Sequence, residues 1–154
     1  AGGTAKVLPP YPQAQPRSTP VADPIVAAFA VQWDGASRAA LRQFGDRLDW
    51  VIVEGAFLGR GTDDAISVTL DRDLLDDATS RGAEVHLMLT NFGVSDFDSA
   101  LVTSVVATPE LRTRAVKRLV EAVKSYGLAG VTIDFELVPA WQHQLVLQFI
   151  TALR

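Results

Sequence analysis

Two carboxyl groups stand two residues apart at the end of an apolar segment that begins at Gly127. In this segment apolar and polar residues alternate: Val131, Thr132, Ile133, Asp134, Phe135 and Glu136. Successive side chains of a strand point to opposite faces, so the pattern predicts a strand with one apolar face and one face carrying Thr132, Asp134 and Glu136.

Acids on an otherwise apolar strand cost free energy unless they have a partner or a function. Neighbouring carboxyl groups can keep one member charged and the other protonated near neutral pH, which suits general acid catalysis. Asp134 and Glu136 are therefore the candidate catalytic pair. The alternative is a structural pair that is hydrogen-bonded at a strand end.

The elements that must position this pair form a repeating pattern between residues 25 and 154. Apolar segments predict strands, and segments with helical spacing predict helices. The predicted strands are 25–31, 50–58, 84–89 and 128–136, and the predicted helices are 37–48, 71–81, 108–126 and 141–153. Thr108, Pro109 and Gly127 mark the third helix as N-cap, first helical residue and terminator.

Four strand–helix units predict an α/β fold with a parallel sheet and right-handed crossovers. Two architectures remain open. One is the first half of a (β/α)8 TIM barrel, whose full length is typically about 250 residues. The other is a small open doubly wound parallel sheet. In both, functional groups gather at the carboxyl ends of the strands.

Composition limits the function further. The chain has 154 residues, a formal net charge of -4 and no cysteine. The negative charge and the lack of a basic cluster argue against a nucleic-acid partner. Residues 1–24 are rich in proline and predict an extended linker or tail, which leaves 25–154 as the domain. The acids between Asp71 and Asp77 lack the glycine and closing glutamate of a calcium loop, so we expect no metal site and no cofactor.

Residues at three predicted strand ends resemble glycoside hydrolase family 18, the chitinase-like family. The fourth-strand signature of that family is Asp-x-x-Asp-x-Asp-x-Glu, and its positions fall here on Ala129, Thr132, Asp134 and Glu136. The segments 29–34, 48–54 and 89–92 are similar to the first three strands of family 18-like domains that bacterial proteins join to a polysaccharide deacetylase and a family 2 glycosyltransferase. The resemblance covers the first four strands of eight.

The resemblance implies a retaining glycosidase that acts on polysaccharides containing N-acetylglucosamine. In this family the acetamido oxygen of the substrate attacks the anomeric carbon. Glu136 matches the acid that protonates the leaving oxygen, and Asp134 matches the residue that orients the acetamido group. A charged Asp134 would favour the protonated form of Glu136.

Five further residues are candidates for substrate binding: Glu54, Asn91, Trp33, Asp34 and Thr132. The first four of them have a structural alternative. Glu54 would instead pair with a cation or a backbone amide, Asp34 would cap a helix, and Asn91 would occupy a turn. Trp33 would stack on a sugar ring or pack in the core.

A second function is a non-catalytic glycan-binding or scaffolding domain, favoured because Ala129 and Thr132 replace the first two acids of the signature. Polymers of this kind lie outside the cytoplasm, which implies a periplasmic or extracellular domain, with the Pro-rich segment as a link to a membrane. An open half-barrel exposes strand edges, so we also expect self-association or pairing with the other half of the barrel.

Overall fold

Four parallel strands and one short antiparallel strand form the sheet of the computed structural model, which describes residues 24–59 and 66–154. The strands are β1 (Ala27–Val31), β2 (Trp50–Leu58), β3 (Ile66–Val68), β4 (Glu84–Thr90) and β5 (Gly130–Asp134). The helices are α1 (Gly35–Phe44), α2 (Arg72–Ser80), α3 (Ser99–Val106), α4 (Pro109–Tyr126) and α5 (His143–Leu153). Short 3-10 helices cover Gly45–Arg47 and Ala140–Gln142. The predicted linker 1–24 lies outside the described residues except for its last residue.

The parallel strands are ordered β1-β2-β4-β5, so their spatial order follows the chain. A doubly wound sheet reverses its strand order at a switch point, and this sheet has no reversal among its described strands. The α/β prediction is confirmed, and the strand order is that of consecutive units of a (β/α)8 barrel.

Helix starts are fixed by short polar side chains at the expected positions. Asp34, Asp71 and Asp98 each accept a hydrogen bond from a backbone N–H in the first turn of α1, α2 and α3. Thr108 caps α4, and Gly127 ends that helix in the left-handed conformation with φ of 66°. This φ requires glycine in practice, because a Cβ is strained there.

Four details of the predicted pattern are wrong. The short strand β3 and the helix α3 were not predicted, so two helices rather than one connect β4 to β5. The last strand ends at Asp134, so Glu136 lies beyond it instead of within it. In addition, α1 begins at Gly35 directly after its Asp34 cap and ends before residue 48.

The main core lies between one face of the sheet and the helices. Val53, Leu87 and Leu89 from the strands are fully buried there against Leu119 and Phe149 from the helices. Val131, Ile133 and Phe135 pack on the same side, as the alternation at the chain's last strand predicts. The opposite face of the sheet, here called the inner face, holds Phe29, Val31, Trp50, Ile52, Glu54, Phe57, His86, Met88, Thr90, Thr132 and Asp134.

A β-bulge at Gly55 shifts the register between β2 and β4. Glu54 pairs with Met88 before the bulge, and Phe57 pairs with Thr90 after it. Without the extra residue, side chains three positions apart would point to opposite faces. The bulge therefore places both Glu54 and Phe57 on the inner face.

Candidate active site at the carboxyl edge of the sheet

Asp134 is the last residue of β5, and its partner across the sheet is Thr90 at the end of β4. Thr132 precedes it on the inner face, in register with Met88. Both Thr132 and Asp134 are half-buried. The structure thus places Asp134 at the carboxyl edge of the sheet, where parallel α/β folds carry their functional groups.

Glu136 is exposed and lies two residues past the strand, yet both its backbone N–H and its backbone carbonyl are hydrogen-bonded. The Asn91 side chain accepts a hydrogen bond from the Glu136 N–H at 2.8 Å and donates one to the Glu136 carbonyl at 2.9 Å. The preceding residue, Phe135, stacks on Phe149 of α5 with ring centroids 6.2 Å apart. The chain therefore keeps the strand's alternation to Glu136, which leaves its carboxyl group free of the core.

Asn91 itself is completely buried at the end of β4. The sequence predicts a substrate contact or a turn residue at this position. Its side-chain oxygen and nitrogen are both engaged by the Glu136 backbone, so in this structure the amide organises the edge beside the candidate acid.

Glu54 is half-buried on the inner face of β2. One strand, β4, separates it from Thr132, and neighbouring strands lie about 4.8 Å apart. The Glu54 and β5 backbones are therefore about 10 Å apart, which is too far for a direct hydrogen bond between backbones and close enough for one sugar ring to lie between side chains.

Glu54 also lines a cleft of about 430 Å³ beyond the ends of β1 and β2, here called the Trp33 cleft. Its other lining residues are Gln32, Trp33, Phe57, Thr69, Leu70 and Asp71. Trp33 is 80% exposed, which excludes the alternative that it packs in the core. An exposed indole beside a carboxylate is a surface suited to a sugar ring, since the indole offers an apolar face and the acid accepts hydroxyl hydrogen bonds.

Asp34 follows Trp33 and is committed to α1. Its carboxylate accepts a hydrogen bond of 2.9 Å from the Ala36 N–H and so forms the N-cap predicted as its structural alternative. Asp34 does not line the Trp33 cleft.

A second cleft of about 730 Å³, the hairpin cleft, lies between the end of β2 and residues 92–98. Phe57 lines both clefts, so they meet at this side chain. Phe92 and Phe97 form an antiparallel bridge and pack edge to face at 5.3 Å, which makes residues 92–97 a small hairpin. Asp134 and Glu136 line neither cleft and instead lie at the open edge beside them.

The electrostatics of this edge are clearest at Asp71, which caps α2 on the wall of the Trp33 cleft. The Arg38 guanidinium hydrogen-bonds the Asp71 carboxylate and lowers the pKa of Asp71 below its ordinary value of 3.8, and backbone N–H groups of α2 act in the same direction. Within 24–59 and 66–154, no three His, Cys, Asp or Glu residues are grouped so that they could hold a metal ion. No helix in these ranges is long and apolar enough to cross a membrane.

Sequence reasoning missed three residues at this edge. Gln32 donates hydrogen bonds to the carbonyls of Glu54 and Thr69 at 2.8 and 2.9 Å, and its side-chain oxygen accepts the Asp71 N–H. Phe57 reaches the inner face only because of the bulge. Trp141 is 66% exposed on the 3-10 helix after β5. Of these three residues, Gln32 alone had a signal in the sequence, because it is a polar residue directly after a predicted strand.

No family model matches the chain. A curated relative is YdhD of Bacillus subtilis (strain 168), a protein named as a sporulation-specific glycosylase, which is 36% identical over 66 residues. That match covers 43% of this chain and 16% of YdhD. The crystal structure of YdhD is 26% identical, has a TM-score of 0.62 and is matched over 68% of this chain and 35% of its own.

Other solved structures share the fold at lower identity. The spore cortex-lytic enzyme SleL of Bacillus cereus has a TM-score of 0.73 at 15% identity, over 82% of this chain and 31% of its own. A class V chitinase of Pseudomonas fluorescens Pf-5 has a TM-score of 0.72 at 24% identity. The match covers 84% of this chain and 40% of the chitinase chain. The chain is thus similar in fold to chitinases and spore cortex-lytic enzymes, and it spans between about a third and two fifths of the length of these solved structures.

Proposed function

We propose that this chain carries the acid-bearing half of a glycosidase site for polymers that contain N-acetylglucosamine. The observation that carries the proposal is the position of Asp134 at the end of β5 and of Glu136 two residues beyond it, at the edge that also exposes Trp33. The fold likeness to chitinases supports it. Residues 25–154 then form consecutive units of a barrel domain, and residues 1–24 are its linker.

In the proposed reaction Glu136 donates its proton to the glycosidic oxygen as the bond from that oxygen to the anomeric carbon breaks. The acetamido oxygen of the same sugar forms the new bond to the anomeric carbon. Asp134 orients the acetamido group and balances the positive charge that develops on it. Water then attacks the anomeric carbon and gives a proton to Glu136, the bond from the acetamido oxygen to the anomeric carbon breaks so that the acetamido group is restored, and the original configuration is retained. Glu54, Trp33 and Thr132 bind the sugar.

Glu136→Gln tests this function directly. Glutamine keeps the shape but cannot donate the proton, so we expect turnover of N-acetylglucosamine oligosaccharides, measured as released reducing ends, to fall at least about 100-fold. Binding of the same oligosaccharides, measured by isothermal titration calorimetry, should stay within about threefold because the substrate contacts remain. Glu121→Gln on the exposed face of α4, where Glu121 faces Lys117 at 3.9 Å, is the matched control and should change neither quantity. Equal turnover by Glu136→Gln and the parent would refute the catalytic role.

A non-catalytic glycan-binding domain is the second candidate. It is favoured by Thr132, which takes the inner-face position next to Asp134 where the family signature has an acid. The same experiment separates the two functions, because a binding domain would bind the oligosaccharide in both forms and release no reducing ends. In either case the polymer lies outside the cytoplasm, and we propose a periplasmic or extracellular location.

A further inference from the structure

Asn91 has all four of its polar groups paired at the end of β4. Its side chain makes the two hydrogen bonds to the Glu136 backbone, its own N–H donates to the Asp134 carbonyl at 3.4 Å, and its carbonyl accepts the Asp98 N–H at 3.0 Å. A buried residue whose side-chain oxygen, side-chain nitrogen, N–H and carbonyl are each hydrogen-bonded favours one conformation, since losing any of these bonds leaves an unsatisfied group. Asn91 therefore joins three segments: the end of β5, the start of α3 and the residue that carries the candidate acid.

Glu136 depends on this residue more than an acid within a strand would. The β4–β5 ladder stops at Asp134, so no strand within 24–59 and 66–154 pairs with the Glu136 backbone. The next residue, Leu137, has φ of 54°, a left-handed conformation that L side chains rarely adopt. The chain bends immediately after Glu136. The Asn91 amide makes the hydrogen bonds to the Glu136 backbone that a neighbouring strand would otherwise make.

We propose that Asn91 is a positioning residue for Glu136. Asn91 acts through its hydrogen bonds to the Glu136 main chain and does not touch the substrate. This inference rests on the proposed function and deepens it. It also explains why a completely buried amide stands where the sequence suggests a substrate contact. The Asn91 carbonyl lies at the base of the 92–97 hairpin, which is closed by the Gly93 N–H to Asp96 carbonyl bond of 2.8 Å, so the amide is itself anchored from the other side.

Asn91→Ala removes both bonds to Glu136 and keeps the main-chain bonds of residue 91. We expect the Glu136 amide to exchange with deuterium about tenfold faster or more, as measured residue by residue by NMR on the labelled full chain. The kcat for oligosaccharide hydrolysis should fall about tenfold or more, while KM stays within about threefold, because the substrate contacts are unchanged. Gln142→Ala is the control: Gln142 is 2% exposed, and its amide donates to Thr103 at 2.7 Å in the helix layer. It should reduce stability without altering Glu136 exchange or kcat.

Asn91→Asp supplies a second, independent variant with a pH signature. A charged carboxylate can accept the Glu136 N–H but cannot donate to the Glu136 carbonyl, whereas the protonated form can do both. Burial favours the protonated form. The kcat of Asn91→Asp, divided by that of the parent at the same pH, should approach one near pH 4.5 and decline towards pH 7.

Amide exchange decides the structural claim whether or not hydrolysis is observed. Unchanged Glu136 exchange in Asn91→Ala would overturn the inference. Faster exchange with unchanged kcat would overturn its link to catalysis. If Glu136 exchange is faster in Asn91→Ala than in the parent, but the parent releases no reducing ends, the proposed function is refuted. The positioning of Glu136 by Asn91 is then still supported.

Discussion

Gly55 decides which side chains of β2 reach the candidate site. It occupies the bulge between Glu54 and Ala56, and Leu70 and Thr69 fill the space that a side chain at this position would take. A Cβ built there would lie 2.5 Å from a Leu70 methyl carbon and 3.0 Å from the Thr69 carbonyl oxygen. The residue is a glycine because of this close approach, and its φ does not lie in the left-handed range.

Gly55→Ala should therefore lower the free energy of unfolding by about 1–3 kcal/mol, the usual cost of overpacking. Urea titration measures the change. Gly35→Ala is the matched control: a Cβ at Gly35, the first residue of α1, meets nothing within 4 Å. The control should be neutral or stabilising by up to about 1 kcal/mol, since alanine is the better helix former. Equal stability of the two variants would mean that β2 and residues 69–70 are not in close contact.

Single residues also show which parts of the candidate site could be predicted from the sequence and which could not. Alternation identified Asp134 and Glu136 as residues of one face, because the period of a strand is visible in one segment. Asn91 was recognised as a residue at a strand end, but its two bonds to Glu136 join residues that are far apart in sequence. Gln32 was missed for the same reason, since a side chain that bonds distant backbone groups leaves no periodic pattern.

At the scale of elements, Asp71 links α1 to α2 through its ion pair with Arg38 and caps α2 at the same time. The folded-state pKa of Asp71 is lowered, chiefly by the Arg38 hydrogen bond. A lowered pKa contributes stability above the unfolded value of about 3.8, and that contribution is lost as the pH falls through the folded pKa.

Asp71→Asn isolates this charge, because asparagine is an equally good N-cap. We expect the variant to be less stable than the parent at pH 7, and the difference to shrink below about pH 4 as Asp71 of the parent becomes protonated. Thermal unfolding between pH 2 and 7 measures the two curves. Asp73→Asn, at an exposed acid in the first turn of α2, is the control. A parent–variant difference that stays constant across this range would contradict the role of the Arg38 pair.

The elements differ in how strongly the sequence marks them. Helix α4 was predicted to within about one residue because Thr108, Pro109 and Gly127 mark both of its ends. Helix α3 was missed because its valines and threonine have low helix propensity, and its burial among other elements outweighs that propensity. Strand β3 has three residues, too few for a visible alternation.

At the scale of the whole molecule, the described sheet pairs β1 and β5 on one side only. Phe29 on the inner face of β1 is 67% exposed. Unpaired edges next to exposed apolar side chains favour association with another chain.

We therefore expect the parent chain to form dimers or larger species in sedimentation velocity at tens of micromolar, and Phe29→Lys to shift it towards monomer. Lysine on an edge strand opposes strand pairing by charge and by desolvation cost. Val94→Lys, at a fully exposed apolar residue of the 92–97 hairpin, should leave the distribution unchanged. A parent that sediments as one monomeric species would refute the expected self-association.

The order β1-β2-β4-β5 also has a kinetic consequence. Each parallel pairing joins two parallel strands that are consecutive along the chain. The partner of each strand is therefore supplied by the next crossover and not by a segment much later in the chain. Doubling a crossover's length adds only about 0.6 kcal/mol to its closure cost, so the three pairings have similar entropic barriers. The sheet can therefore grow strand by strand as the chain leaves the ribosome. Among the described strands, Asn91 can bind the Glu136 backbone only after β5 has paired with β4, so the candidate acid is set after the pairings of β1, β2 and β4.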